Sequence, residues 1–138
     1  MKDVAYVALG SNLGQREGFL AQARRSIAGL PHTRLLGETI AEETAPIGPV
    51  QQGPFLNQMI AIETELSPQQ LLRELMRIEN EAGRVRAERW GPRTLDLDIV
   101  MFERQSANEA NLKVPHPELS NRPFWLRELT ELRSARVG

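Results

Sequence analysis

The sequence predicts an α+β fold, one antiparallel sheet built in the order β-α-β-β-α-β with a further helix after it. Three observations predict it. Strand-length apolar runs stand near Val4–Leu9 and Ile99–Phe102. Two segments repeat apolar residues at helical spacing. Turn-forming residues rich in glycine and proline separate these pieces. At 138 residues, 41% of them hydrophobic, the chain is expected to form a single domain over residues 1–138 with a core that needs no disulfide.

Val4–Leu9 reads as the first strand, stopped by Gly10-Ser11-Asn12-Leu13-Gly14, a segment suited to close backbone approach or to starting a helix. Phe19, Leu20, Ala23, Ile27 and Leu30 follow a 3.6-residue period, which predicts a helix over Arg16–Leu30 that Pro31 blocks from continuing. Thr33–Thr44 is expected to be the second strand. Ala45–Pro54, with three prolines and two glycines, is a loop. Phe55–Leu66 alternates as a third strand, with Leu56, Ile60 and Ile62 on one face. Ser67-Pro68-Gln69-Gln70 is a helix start, with Ser as N-cap, Pro at the first position and Gln at the capping-box position. Leu71, Leu72, Leu75 and Ile78 form that helix's apolar stripe, and Gly83 ends it. Thr94–Phe102 is the fourth strand, and a last short helix is expected near Asn121–Leu132. The order is the ferredoxin-like one and predicts helices packed mainly on one face of the sheet. By itself it says little about activity.

Composition narrows the chemistry. There is no cysteine, which excludes disulfide scaffolds, zinc–thiolate sites and cysteine nucleophiles and suits a reducing cytoplasm. No run approaches the roughly 20 apolar residues of a membrane helix. Net charge is −1, unlike a protein that coats nucleic acid. The charge is nevertheless concentrated: Arg84, Arg86, Arg89 and Arg93 stand against Glu88 alone within residues 84–93. A local basic patch on a near-neutral chain fits a small anionic ligand.

In Thr94-Leu95-Asp96-Leu97-Asp98-Ile99 the two carboxylates are two residues apart on a predicted strand, so they share a face, about 7 Å apart, while the leucines and Ile99 point into the core. Their repulsion, roughly 2 kcal/mol at an effective dielectric of 20, calls for a counter-charge. Oxygen-only ligands suit magnesium, which takes one or two carboxylates plus phosphate oxygens. A bare D-x-D is also common on solvated strand faces and on faces paired with arginines. The adjoining arginines match phosphate with planar bidentate forks. Trp90 sits in a segment too polar for core and suits stacking on a base or on an arginine. Gly83, Gly91 and Pro92 bracket the loop as a candidate lid over nucleotide.

These residues resemble the 6-hydroxymethyl-7,8-dihydropterin pyrophosphokinases of folate synthesis, over nearly the whole chain. The most specific piece is R-W-G-P-R-T-L-D-L-D-I (Arg89–Ile99). A-L-G-S-N-L-G (Ala8–Gly14), T-A-P-I-G-P (Thr44–Pro49), F-L-N (Phe55–Asn57), R-I-E (Arg77–Glu79), V-P-H-P (Val114–Pro117) and N-R-P-F (Asn121–Phe124) support it. The resemblance implies transfer of pyrophosphate from ATP to the pterin hydroxymethyl, leaving AMP. It implies Asp96 and Asp98 as ligands of two magnesium ions, with Arg84 and Arg93 catalytic at the phosphates. It implies Glu79, Arg86, Arg89, Trp90, Arg93, Ile99, His116 and Arg122 at ATP, and Thr44, Ala45, Ile47, Phe55, Asn57, Asp96 and Phe124 around the pterin, Phe55 and Phe124 sandwiching its ring. The chain departs from the family's usual pattern at Ala45, Asn111, Lys113 and Pro117, and one residue is missing between Arg86 and Glu88. A cytoplasmic monomer that acts on small molecules, with neither nucleic acid nor membrane as partner, is the expectation. Two other readings use the same residues: a generic magnesium-dependent nucleotidyltransferase or phosphohydrolase, and a non-catalytic binding module.

Overall fold

A computed structural model of the chain describes residues 1–45, 53–83 and 95–137. The first strand, β1 (Asp3–Ser11), is buried along its whole length and is the spine of the sheet. It is followed by helix α1 (Arg16–Ala28), strands β2 (Thr33–Glu38), β3 (Glu42–Thr44) and β4 (Phe55–Thr64), helix α2 (Pro68–Glu81) and strand β5 (Asp96–Phe102). A small hairpin of β6 (Ala107–Glu109) and β7 (Leu112–Val114), a 3-10 turn at Leu119–Asn121 and helix α3 (Pro123–Val137) complete the described chain. The main sheet runs β2-β4-β1-β5, each neighbour antiparallel, with β3 also paired to β4. This is the predicted ferredoxin-like order.

Two expectations are corrected. The strand expected over Thr33–Thr44 is two strands, because Thr39 leaves the ladder. Its backbone N–H donates to Met59 O, its hydroxyl accepts from Met59 N–H, and its carbonyl accepts from the Gln58 amide. The last helix begins at Pro123 and runs on to Val137, its first turn preceded by the 3-10 turn. The helices pack mainly on one face, as expected, with α3 on the other. Helices α1 and α2 cover one side through Leu20, Ala23, Ile27, Leu71, Leu75 and Ile78, packed on Val7, Leu9, Ile60, Ile62, Leu97 and Ile99. Helix α3 covers part of the other through Trp125, Leu129 and Leu132, packed on Tyr6, Ala8, Met59, Ala61 and Val100. Strict alternation along β1 supplies both cores.

The start of α2 follows from its sequence. Ser67 Oγ accepts from Gln70 N–H at 3.2 Å, and Gln70 Oε1 accepts from Ser67 N–H at 2.8 Å, with Pro68 at the first helical position. Among the described residues no helix is long and apolar enough to cross a membrane.

Candidate active site

The α3 side of the sheet is the side that α3 covers only in part, and the predicted site residues gather there. Pairing register puts them in rows. Gly10 on β1 stands opposite Asn57 on β4 and opposite Asp96 on β5. One row toward α3, Ala8 stands between Met59 and Asp98. Residues directly opposite share a face, so Asn57, Gly10 and Asp96 form one line, with Asp98 beside it. The middle of the line has no side chain. A Cβ added at Gly10 would lie 3.1 Å from Asn57 Oδ1, so that side chain would have to give by a few tenths of an ångström, while Phe55 Cδ1 at 3.5 Å would be in ordinary contact.

Asn57 donates its amide N–H to Thr44 Oγ1, linking β4 to the end of β3. That bond orients the amide, and Phe55, two residues away, presents its half-buried ring on the same face. Behind the site, Asn12 donates to Gly53 O at 3.2 Å and Arg16 to Pro54 O at 3.0 Å, tethering the segment before β4 to the start of α1.

On β5 and the residue before it, Leu95, Leu97 and Ile99 are buried and Asp96 and Asp98 half-buried, as alternation required. The Leu97 N–H, between the two carboxylates, donates to Glu79 Oε2 at 2.7 Å. Glu79 is only 3% exposed, so this bond from α2 fixes the outer edge of β5 where the aspartates stand. Arg77 does not pair with Glu79; it bridges Glu74 and Glu81. Relative to β1, β5 carries one extra residue at Val100, whose carbonyl accepts from His116 N–H at 2.8 Å. This anchors His116 beside Asp98, with Nε2 and Oδ1 3.8 Å apart, too long for a direct hydrogen bond. His116 Nδ1 accepts from Glu118 N–H at 3.0 Å, so the neutral ring carries its proton on Nε2, the atom facing the carboxylate. Burial, with the Arg122 guanidinium adding to it, holds the imidazole below its ordinary range; Glu118 and Asp96 pull the other way. A neutral ring with an Nε2–H donor is the resulting state near neutral pH.

Along the outer edge of β5 an open cleft of about 310 Å³ lies between Leu72 on α2 and the β6–β7 hairpin, with Asp98, Ile99, Lys113 and His116 on its walls. Ile99, a core residue, is among those that line the cleft. Asn111, Lys113 and Pro117, positions where the sequence departs from the pattern it resembles, all line it. At the start of α3, Phe124 is half-buried, Arg122 lies over the Trp125 ring at 4.3 Å, and His116 meets that ring edge-on at 5.0 Å.

Thr44, Phe55, Asn57, Asp96, Asp98, His116, Arg122 and Phe124 therefore lie on or beside one partly covered sheet face; Glu79 holds that face from behind, and Ala45 is exposed at the end of β3. Ile47, Arg84, Arg86, Arg89, Trp90 and Arg93 lie outside the described residues. Sequence reasoning missed Gly10 and Trp125. Gly10 was visible as a glycine ending a strand; Trp125, one residue after Phe124, had no local signal of its own. Among the described residues no third His, Cys, Asp or Glu joins the aspartates in a protein-only metal cage. Two half-buried carboxylates that leave most positions to water and phosphate match the coordination habit of magnesium.

Among known proteins, the chain matches the 7,8-dihydro-6-hydroxymethylpterin-pyrophosphokinase (HPPK) family over residues 6–134. It is 45% identical over 130 residues to the 2-amino-4-hydroxy-6-hydroxymethyldihydropteridine pyrophosphokinase of Haemophilus influenzae, covering 94% of this chain and 81% of that protein. To the protein of the same name in Bacillus subtilis it is 43% identical over 132 residues, covering 96% and 79%. To that of Pseudomonas aeruginosa it is 45% identical over 127 residues, covering 92% and 78%.

Proposed function

The chain belongs to the 7,8-dihydro-6-hydroxymethylpterin-pyrophosphokinase family and moves pyrophosphate from ATP to the hydroxymethyl group of a dihydropterin; we propose that it does so on the sheet face where Asn57, Gly10 and Asp96 stand in one row. The row is the observation that carries this reading. It offers an oriented amide at one end, a side-chain-free floor in the middle and a carboxylate at the other end.

The flat pterin lies over Gly10, its pyrimidine edge toward Asn57, Thr44 and Ala45, its rings between Phe55 and Phe124, and the family resemblance adds Ile47 to its contacts. Its hydroxymethyl group then reaches Asp96. The nucleoside of ATP occupies the cleft beside β5, against Ile99 and the β6–β7 hairpin, and the phosphates run toward Asp98. His116 Nε2–H and Arg122 donate to phosphate oxygens, and the family resemblance assigns Arg84, Arg86, Arg89, Trp90 and Arg93 to ATP as well. Glu79 contributes by holding the aspartate-bearing edge of β5 in register. Asp96 and Asp98 would hold two magnesium ions, which when bound neutralise the triphosphate and acidify the acceptor hydroxyl. Pyrophosphoryl transfer depends on positioning and charge neutralisation more than on a strong protein base.

The test is a turnover assay with ATP, magnesium and 6-hydroxymethyl-7,8-dihydropterin. The expected products are AMP and the pterin diphosphate in equal amounts. Formation of ADP, or release of pyrophosphate without pterin, would replace this reading with that of a generic nucleotidyltransferase or phosphohydrolase.

A further inference from the structure

Trp125 touches both nucleotide-side groups of the site without facing the site itself. It is 2% exposed and packed within the core formed by Tyr6, Ala8, Met59, Val100 and Leu129. Its ring nevertheless carries the Arg122 guanidinium at 4.3 Å on one side and meets His116 edge-on, with centroids 5.0 Å apart and planes at 87°. Arg122 Nε is buried and has no hydrogen-bond partner among the described residues. The indole face is thus the contact that orients the guanidinium, and an aliphatic side chain of similar bulk would lack the ring quadrupole that does so. His116 is held along its backbone by Val100 and at Nδ1 by Glu118, and the indole packs against the ring these contacts fix.

We infer that Trp125 is a positioning residue for ATP, a buried ring that sets the direction of the Arg122 guanidinium and packs it beside the already anchored His116. The inference rests on the reading of those two side chains as ATP contacts. It goes beyond that reading in giving the α3 core a part in nucleotide recognition rather than in stability alone.

A double-mutant cycle tests it, with KM for ATP, KM for the pterin and the thermal midpoint measured for Trp125→Leu, Arg122→Ala and the pair. Arg122→Ala and Trp125→Leu are each expected to raise KM for ATP about tenfold, with the double variant little worse than either, because both remove one coupled contact. Trp125→Phe, which keeps a ring, is expected to recover most of the loss. Additive effects, or a Trp125→Leu protein whose KM for ATP is unchanged while its midpoint falls, would reduce Trp125 to a packing residue. If Arg122→Ala and His116→Ala themselves leave KM for ATP unchanged, the assignment of those two residues fails, and this inference with it. That result is distinct from one in which they matter and Trp125 does not. Should the leucine variant not fold, the cycle is run with Trp125→Met, which also removes the ring, and additivity there overturns the inference equally.

Discussion

Gly10 is the position where one methyl group matters most. In Gly10→Ala the new Cβ would press on Asn57 Oδ1, and a shifted Asn57 would pull on Thr44. KM for the pterin is expected to rise about tenfold with KM for ATP little changed, while stability falls by about 1–3 kcal/mol, the usual cost of overpacking. Steady-state kinetics with each substrate varied in turn checks this; equal effects on both would mean a distorted sheet instead. Asp96→Asn and Asp98→Asn keep size and remove charge. Each is expected to lower kcat at least about a hundredfold with circular dichroism and thermal midpoint unchanged. A midpoint that falls as far as the activity would make the aspartates structural. The facing of the aspartates was legible in the sequence because it depends only on alternation within one strand. The positions of His116 and Arg122 relative to them were not. Those depend on a backbone bond from His116 to the extra residue of β5 and on a ring contributed by α3.

At the scale of elements, the signals that could be read were the local ones. The capping box of α2 is complete, and Ser67→Ala is expected to cost about 1 kcal/mol in a urea melt with both KM values unchanged. The break between β2 and β3 could not be read, since Thr39 leaves the ladder for partners 20 and 89 residues distant, Met59 and Glu128. The β6–β7 hairpin was hidden for another reason: its strands are three residues each, too short for alternation to register. The place of α3 on the second face was not read, although β1 is apolar at nearly every position, a pattern that says buried on both sides.

For the whole molecule, the seam between α3 and the sheet carries a charge problem. Glu128 is buried there, its Oε2 accepting from Thr39 Oγ1 at 3.2 Å and its Oε1 without a hydrogen-bond partner among the described residues. Burial pushes its carboxyl up to about 7, with Glu131 adding to the rise and Thr39 and Arg127 opposing it. The unfolded chain releases that proton near an ordinary value of about 4.3, so across this interval the folded state binds more protons. Stability is therefore expected to fall as pH rises from about 4.3 to about 7 and then to level. His116, held low, contributes in the opposite direction. The difference between wild type and Glu128→Gln isolates the glutamate: the two should converge in mild acid, and the glutamine protein should be the more stable above neutrality. Parallel melting curves at every pH would show that Glu128 titrates normally. The row across β1 has a different consequence for the molecule as a whole. Asn57 and Asp96 are separated by two interstrand spacings, about 10 Å, a length set by backbone hydrogen bonding and not by any side chain. The sheet is thus a gauge, and on the proposed placement it measures the distance from the edge of a two-ring heterocycle to its hydroxyl. Drift in the surrounding sequence would leave that measure unchanged, because side-chain substitutions do not alter the pitch of a β-sheet.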